Sequence, residues 1–188
     1  MAKIVLAGRF WGQKPSHLEK VGRFIDMGKK VGFSSTLIAI NENADDSGAL
    51  QMSHGSDVDI FGVKPWGRFT PALNALVGKS REFVDNGAIL FASMEISLDR
   101  SIVLNLASHM DADTLVVGAR LEGHQFSGDS IDGFRANGRQ IPWNTVALWN
   151  LQKLWPYGFV NAGEGLPEDE STAGVEEFCT MAVIQDDM

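Results

Sequence analysis

Short apolar segments alternate along the chain with longer stretches in which apolar residues recur at helical spacing. The apolar segments are residues 3–7, 36–40, 58–63, 88–92 and 114–119. Most are continuously apolar, as strands buried on both faces are, whereas residues 58–60 partly alternate and indicate a strand nearer the sheet edge. This alternation is typical of an α/β fold in which helices flank a mostly parallel central sheet. We therefore predict a single domain with the order β-α-β-β-α-β-α-β.

The helical stretches lie between these strands and at the end of the chain. Helical spacing of apolar residues covers residues 18–31, 73–84 and 102–110. Residues 121–140 are rich in glycine and are predicted to form a long loop. A helix is then predicted from Asn144 toward Trp155, where Pro156 and Gly158 end it, and a last helix opens at residues 174–178.

Composition excludes several classes of protein. The chain has 188 residues, which suits one domain, and its 16 Lys and Arg against 24 Asp and Glu give a net charge of −8. Such a charge argues against a general nucleic-acid or anionic-membrane surface, and no apolar run approaches the roughly 20 residues of a membrane span. One cysteine, Cys179, and a start that leads directly into strand-like residues predict a cytoplasmic protein.

Several familiar catalytic motifs are absent from the sequence. No G-x-G-x-x-G follows the first strand, and no P-loop or G-x-S-x-G motif occurs. Cys179 falls within an apolar helical stripe, where a thiol is usually inert. The four histidines do not have the spacing of a metal site on one helix. These absences argue against a classical dinucleotide site, a P-loop site and a serine or cysteine nucleophile.

Polar residues collect just after the predicted strands. Gly8 and Arg9 follow the first, residues 41–48 the second, and Ser93 and Glu95 the fourth. In open α/β sheets, ligands bind beyond the carboxyl ends of the strands, so these residues are candidates for one site. The other interpretation is that residues such as those in 43–48 only make turns.

Four segments, taken in order, resemble nucleotide-sugar glycosyltransferases of the GT-A fold, particularly the inverting family-two type. Residues 37–43 end the second strand where that family places an acid near the nucleotide base. Residues 88–95 resemble the strand that leads into its D-x-D metal motif, and residues 173–178 resemble its late G-x-E-D segment. Residues 69–76 lie where the family has a helix beside the nucleotide. The resemblance implies a nucleotide-binding part, residues 1–120, followed by an acceptor-side loop and C-terminal helices, residues 121–188.

The resemblance also implies roles for individual residues. The acid that serves as catalytic base corresponds to Glu177 or, as the second choice, Glu176. Because adjacent residues on a helix point about 100° apart, only one of them is expected to face the cleft. A divalent cation, Mn²⁺ or Mg²⁺, is expected at Glu95 with help from His124. The residues expected to bind the nucleotide sugar are Gly8, Arg9, Glu42, Asn43, Arg68, Asn74 and Ser93.

We therefore predict a glycosyltransferase-like protein that transfers a sugar from a nucleotide-diphosphate donor to an acceptor that the sequence does not identify. Two alternatives remain open. The sequence Ser93-Met94-Glu95 at the D-x-D position keeps one carboxylate, which favours a non-catalytic domain of the same fold that binds a nucleotide sugar or a protein. Arg9 between Gly8 and Gly12 partly matches the loop of a nucleotidyltransferase.

Overall fold

The computed structural model describes residues 3–11, 18–42, 55–125, 138–164 and 175–187. The strands are β1 (Lys3–Phe10), β2 (Ser35–Asn41), β3 (Val58–Val63), β4 (Gly87–Ala92), β5 (Val116–Gly118) and β6 (Val146–Asn150). The helices are α1 (Leu18–Val31), α2 (Thr70–Ser80), α3 (Arg100–Ser108), α4 (Leu151–Leu154) and α5 (Val175–Asp187), with a short 3-10 helix at Asn161–Glu164. No helix in these ranges has the length and apolar composition needed to cross a membrane.

The strands form one six-stranded sheet in the order β3-β2-β1-β4-β6-β5. The first four strands in that order pair in parallel, whereas β6 is antiparallel to both of its neighbours. The prediction of a single α/β domain with a mostly parallel sheet flanked by helices is confirmed. The partly alternating strand β3 lies at an edge of the sheet, also as predicted.

Continuously apolar strands are explained by two cores, one on each face of the sheet. In β1, Val5 and Ala7 belong to the core beneath α2 and α5, while Ile4 and Leu6 belong to the core beneath α1 and α3. Successive side chains of a strand point to opposite faces, so a strand covered on both faces needs apolar residues at every position. Burial of each large side chain contributes about 1.5–3 kcal/mol.

The predicted helix from Asn144 toward Trp155 is wrong over its first half. Residues 146–150 form strand β6, which pairs with β4 so that Leu148 lies opposite Leu90, and only Leu151–Leu154 is helical. A short continuous apolar run fits a buried strand as well as a helix. Long-range pairing with β4 decides between them, and the side chain of Asn150 then caps α4 by accepting from the N–H of Gln152 at 3.0 Å.

The strand directions define one edge of the sheet, which we call the carboxyl edge. The parallel strands β1, β2 and β4 end there at Phe10, Asn41 and Ala92. Because β6 runs the other way, it begins at this edge, with Val146 opposite Ala92. Residues just before β6 therefore meet residues just after β4.

Replacement of Gly8 by alanine is expected to lower the free energy of unfolding by about 1–3 kcal/mol. Gly8 is buried in β1, and an added Cβ would lie 2.8 Å from the ring of Phe24, which is itself buried. The matched control is Gly22→Ala in α1, where an added Cβ meets nothing within 4 Å. That variant is expected to gain about 0.5–1 kcal/mol from helix propensity. Urea unfolding of both variants measures the difference, and equal effects would contradict it.

Candidate active site

A cavity of about 370 Å³ opens at the carboxyl edge of the sheet. Its wall carries the guanidinium groups of Arg9 and Arg68 and the carboxyl groups of Glu176 and Glu177. Arg9 comes from β1, Arg68 from the loop before α2, and the two glutamates from the first turn of α5. Cations and acids from distant parts of the sequence therefore share one cavity at the edge where α/β folds bind ligands.

Arg9 is held in place from several sides. Its Nη1 donates to the carbonyl oxygens of Arg68 at 3.5 Å and Phe69 at 3.4 Å. The guanidinium groups of Arg9 and Arg68 also lie over the ring of Phe69, at 5.0 and 5.1 Å from its centre. Burial lowers the pKa of Arg9, while the negative charge of nearby glutamates, Glu176 first among them, raises it. Arginine remains charged under such conditions, so the cavity contains a fixed cation.

Both glutamates of α5 are buried, with Glu176 5% and Glu177 2% exposed, and both line the cavity. The expectation that only one of them faces the cleft is therefore wrong. The cavity meets the amino end of α5, where only residues of its first turn contribute to the wall. Side chains that diverge around the helix axis can both reach a cavity in that position.

The two carboxyl groups are coupled. Burial raises the pKa of Glu177 to about 8, and the charge of Glu176 adds to that rise. Burial also raises the pKa of Glu176, although the positive charge of Arg9 favours its ionised form. Oε1 of Glu177 accepts from the backbone N–H of Asn144 at 2.6 Å, whereas no described group donates to Oε2. The pair therefore keeps a proton at neutral pH.

Asn144 lies beside this pair, although the sequence was interpreted first as the start of a helix at this residue and a sugar-binding role was the second interpretation. Its Oδ1 accepts a hydrogen bond of 2.8 Å from Nε1 of Trp149, which is fully buried in the core. Its Nδ2 has no partner among the described residues. Asn144 is 9% exposed and lines the cavity. The signal that was missed is its position two residues before a strand that begins at the carboxyl edge.

Three tryptophans add aromatic surface to the cavity wall. Trp11 is 43% exposed and packs edge-on against Trp66, with 5.9 Å between ring centres. Trp143 lines the cavity next to Asn144, and the ring of His124 lies 4.1 Å from it. Flat aromatic faces of this kind are suited to stacking against a nucleobase or the apolar face of a sugar.

Glu164 is a further contributor that sequence reasoning missed. Its carboxylate accepts hydrogen bonds from the backbone N–H groups of Arg68, Phe69 and Thr70 and from the Thr70 hydroxyl. Burial alone would raise the pKa of Glu164, but these donors lower it below its usual value. The carboxylate thus caps α2 and fixes the loop that carries Arg68. In sequence, Glu164 is one acid in a stretch rich in Gly, Pro and acids, without a local signal.

The remaining predicted nucleotide-binding residues are divided between the cavity and other places. Ser93 lines the cavity, as Arg9 and Arg68 do. Glu42 is exposed after β2 and is not part of the wall. Asn74 uses both polar atoms of its side chain on the backbone of Phe159, donating at 2.9 Å and accepting at 2.6 Å. Gly8 packs on Phe24 away from the wall, and Asn43 lies outside the described residues.

The predicted metal ligands do not form a fitting set of donors. Glu95 pairs with Lys20 at 2.8 Å, and this contact lowers the pKa of Glu95. Nδ1 of His124 accepts from the N–H of Leu121 at 2.8 Å, and neither Glu95 nor His124 lines the cavity. Within the described ranges, no three or more His, Cys, Asp or Glu residues are grouped to hold a metal ion. A divalent cation needs more oxygen donors than one carboxylate already paired with an ammonium group.

The sheet order and the position of the cavity define an α/β domain with a mostly parallel six-stranded sheet and a candidate site at its carboxyl edge. A solved structure of similar fold is a nucleotidyl transferase from Methanothermobacter thermautotroptrophicus, with a TM-score of 0.55 and 16% sequence identity. The match covers 98% of this chain and 83% of that one. At this identity the likeness shows the fold alone and does not separate glycosyl transfer from nucleotidyl transfer. No protein-family model and no curated protein sequence matches the chain.

Replacement of Glu164 by glutamine is expected to lower the free energy of unfolding by about 1–2 kcal/mol at neutral pH, because the charged cap of α2 is lost. The pKa of Glu164 is lowered in the folded protein, so its contribution is present above the usual value of 4.5 and is lost as the pH falls through the lower folded value. Urea unfolding across the acid range measures this. The exposed control, Glu122→Gln, is expected to show no such difference, and a pH-independent loss in Glu164→Gln would contradict the assignment.

Stability of the wild-type protein is expected to fall as the pH rises from about 5 to about 8. Over this interval the folded protein keeps a proton on Glu177 that the unfolded chain has released, so each pH unit costs up to about 1.4 kcal/mol. Glu177→Gln removes this titration and is expected to flatten the profile. Glu19→Gln, an exposed acid in the first turn of α1, is expected to keep the wild-type slope. Equal slopes in all three proteins would show that Glu177 has an ordinary pKa.

Proposed function

We propose that this chain transfers a sugar from a nucleotide-diphosphate donor to a hydroxyl group of an acceptor, with Glu177 as the base. The observation that supports this function is the meeting of two guanidinium groups and a buried carboxyl pair in one cavity at the carboxyl edge. Glycosyl transfer with inversion needs a cation for the departing diphosphate and a carboxylate for the attacking hydroxyl. The cavity wall contains both kinds of group.

Arg9 and Arg68 are the proposed partners of the diphosphate. A guanidinium donates two parallel hydrogen bonds to phosphate oxygens, and Arg9 is already oriented by two backbone carbonyls and the ring of Phe69. A pre-oriented cation stabilises the leaving group without first having to reorganise. Trp11 and Trp66 offer the aromatic surface for the nucleobase or the sugar.

The reaction proceeds by substitution at the anomeric carbon of the donor sugar. The acceptor oxygen forms a bond to that carbon, the bond from the carbon to the diphosphate oxygen breaks, and the nucleoside diphosphate leaves with the electron pair. The hydroxyl proton passes to Oε2 of Glu177, the oxygen without a described donor. With a pKa of about 8, about one tenth of Glu177 is ionised at pH 7, so activity rises as the solution becomes alkaline.

Nucleotidyl transfer is the second candidate, and it is favoured by the similar structure, which is a nucleotidyl transferase. In the form of that reaction that uses a sugar phosphate, a phosphate oxygen attacks the α-phosphate of a nucleoside triphosphate and pyrophosphate leaves. A phosphate nucleophile is already ionised at neutral pH and needs no base. The buried pair of Glu176 and Glu177 therefore favours a hydroxyl nucleophile over a phosphate.

The test measures which product is released from a panel of nucleotide sugars, with and without Mn²⁺, and from nucleoside triphosphates mixed with sugar phosphates. We expect nucleoside diphosphate from the wild-type protein, with kcat/KM rising toward an inflection near pH 8. Glu177→Gln is expected to lower turnover by about 10²–10⁴-fold while donor binding persists. The matched control, Glu19→Gln, is expected to retain wild-type turnover.

Other outcomes would assign the chain a different function. Release of pyrophosphate would establish nucleotidyl transfer, and donor binding without any product would establish a non-catalytic binding domain. A donor at 100 times its dissociation constant adds about 2.7 kcal/mol of stability, which thermal unfolding detects easily. An unchanged melting temperature with every nucleotide would contradict both transferase functions.

A further inference from the structure

The charged groups of the cavity wall act on one another electrostatically. Burial lowers the pKa of Arg9, and the negative charges of Glu176 and Glu177 oppose that shift. Burial raises the pKa of both glutamates, and the positive charge of Arg9 opposes that shift in turn. The influence is mutual and does not need direct contact, because it acts through the low-dielectric interior. Any change of charge beside Arg9 therefore alters how readily the glutamate pair keeps its proton.

Protonation of the glutamate pair decides the net charge of the cavity wall. Arg9 and Arg68 contribute two positive charges, and Glu176 and Glu177 contribute two negative charges only when both are ionised. With one proton on the pair, these four groups carry one net positive charge, and without that proton they are neutral in sum. The cavity thus attracts an anion most strongly while the pair keeps its proton.

Other ionisable groups lie near the pair but do not follow its titration. Glu164 acts electrostatically on Arg9 and Glu176, but its donors at the start of α2 keep it ionised. Burial raises the pKa of the Cys179 thiol, and the charge of Glu176 adds to that rise, so the thiol stays neutral. His124 contacts Trp143 and does not line the cavity. Among the wall residues that the structure describes, the glutamate pair is the group whose charge changes between neutral and mildly alkaline pH.

We propose that the pair of Glu176 and Glu177 is a proton switch for anion binding, so that a diphosphate binds in the cavity together with a proton. This inference deepens the proposed function and rests on it for the identity of the anion. An anion paired with Arg9 and Arg68 offsets the positive charge that opposes protonation of the pair. The pair then binds its proton more tightly, and by linkage the affinity for the anion falls as the pH rises.

The switch also links proton loss to product release in the proposed reaction. Transfer of the sugar leaves a new negative charge on the diphosphate and, in the same step, places a proton on Glu177. The two changes offset each other while both remain in the cavity. Loss of that proton to solvent restores the negative charge of the pair and weakens binding of the diphosphate, so the product leaves more readily.

Sulfate tests the switch without turnover, because it remains a divalent anion throughout the pH range used. A saturable change in tryptophan fluorescence measures occupancy, since Trp11, Trp66 and Trp143 line the cavity. The full-length protein is titrated from about pH 6.5 to about pH 9.5 at constant ionic strength. We expect a dissociation constant that is nearly constant up to about pH 7.5 and then rises by up to about tenfold per pH unit. In weakly buffered solution at about pH 8.5, we expect uptake of about 0.3–1 proton per bound sulfate.

Two pairs of variants assign the effect to the cavity. Glu177→Gln replaces the titrating acid with a neutral amide, so its sulfate affinity is expected to stay constant above about pH 7, without proton uptake. The exposed control, Glu19→Gln, is expected to keep the wild-type profile. Arg68→Gln is expected to weaken sulfate binding by about tenfold or more, whereas Arg23→Gln on the exposed surface of α1 is expected to bind as the wild type does.

Kinetics give an independent measure of the switch in an active protein. The pH profile of kcat/KM depends on the pKa values of the free protein, and that of kcat depends on those of the donor-bound protein. A bound diphosphate that favours protonation of the pair is therefore expected to move the inflection of kcat to a higher pH than that of kcat/KM, by about half a unit or more. Coincident inflections would contradict the switch.

The outcomes separate the switch from the proposed function. Sulfate that never binds saturably, that binds without proton uptake, or that binds equally well across the whole pH range overturns the switch. Binding that is unchanged in Arg68→Gln overturns it as well. If the wild-type protein releases nucleoside diphosphate while any of these holds, glycosyl transfer survives and only the inference falls. If sulfate and proton binding are coupled and no donor is ever cleaved, the switch stands and the transfer reaction falls.

Discussion

Parallel pairing of β3, β2, β1 and β4 is the constraint on which the rest of the structure depends. It requires helices on both faces of the sheet, and those helices bury two separate apolar cores. It also brings the carboxyl ends of the strands to one edge, where the chain must turn and backbone groups need polar partners. Arg9 and Ser93 reach the cavity because each lies at or just beyond the end of such a strand. The position of the site thus follows from the direction of the strands and not from a sequence motif.

The least favourable feature of this edge is the burial of two carboxyl groups side by side at the start of α5. Desolvation and mutual repulsion oppose ionisation of both, and Arg9 with the backbone N–H of Asn144 offsets only part of that cost. Apolar residues at positions 176 and 177 would pack there without this cost. A fold that keeps buried acids with raised pKa values in a cavity has the properties expected of a functional site.

The fold could be predicted from the sequence because most of its strands are long apolar runs separated by helical stripes. The strand β6 could not, since the run from Val146 to Trp149 is equally consistent with helix until it pairs with β4. Because β6 was not predicted, the place of Asn144 at the cavity could not be predicted either, since it depends on where that strand begins. Arg9, Ser93 and the α5 glutamates could be predicted because each directly follows or opens an element. Glu164 could not, because its capping role arises only when the chain returns to α2.

The reversed direction of β6 has a chemical consequence at this edge. In a β-strand the N–H and C=O groups point sideways toward the neighbouring strands, so a donor for a carboxyl group comes from the chain just outside the paired residues. Because β6 enters the sheet at this edge, the segment before it lies here, and the N–H of Asn144, two residues before β6, donates to Glu177. One inverted strand thus brings to the site a segment that would otherwise lie at the opposite edge of the sheet. Chain direction, and not only side-chain identity, determines whether an acid can be held there.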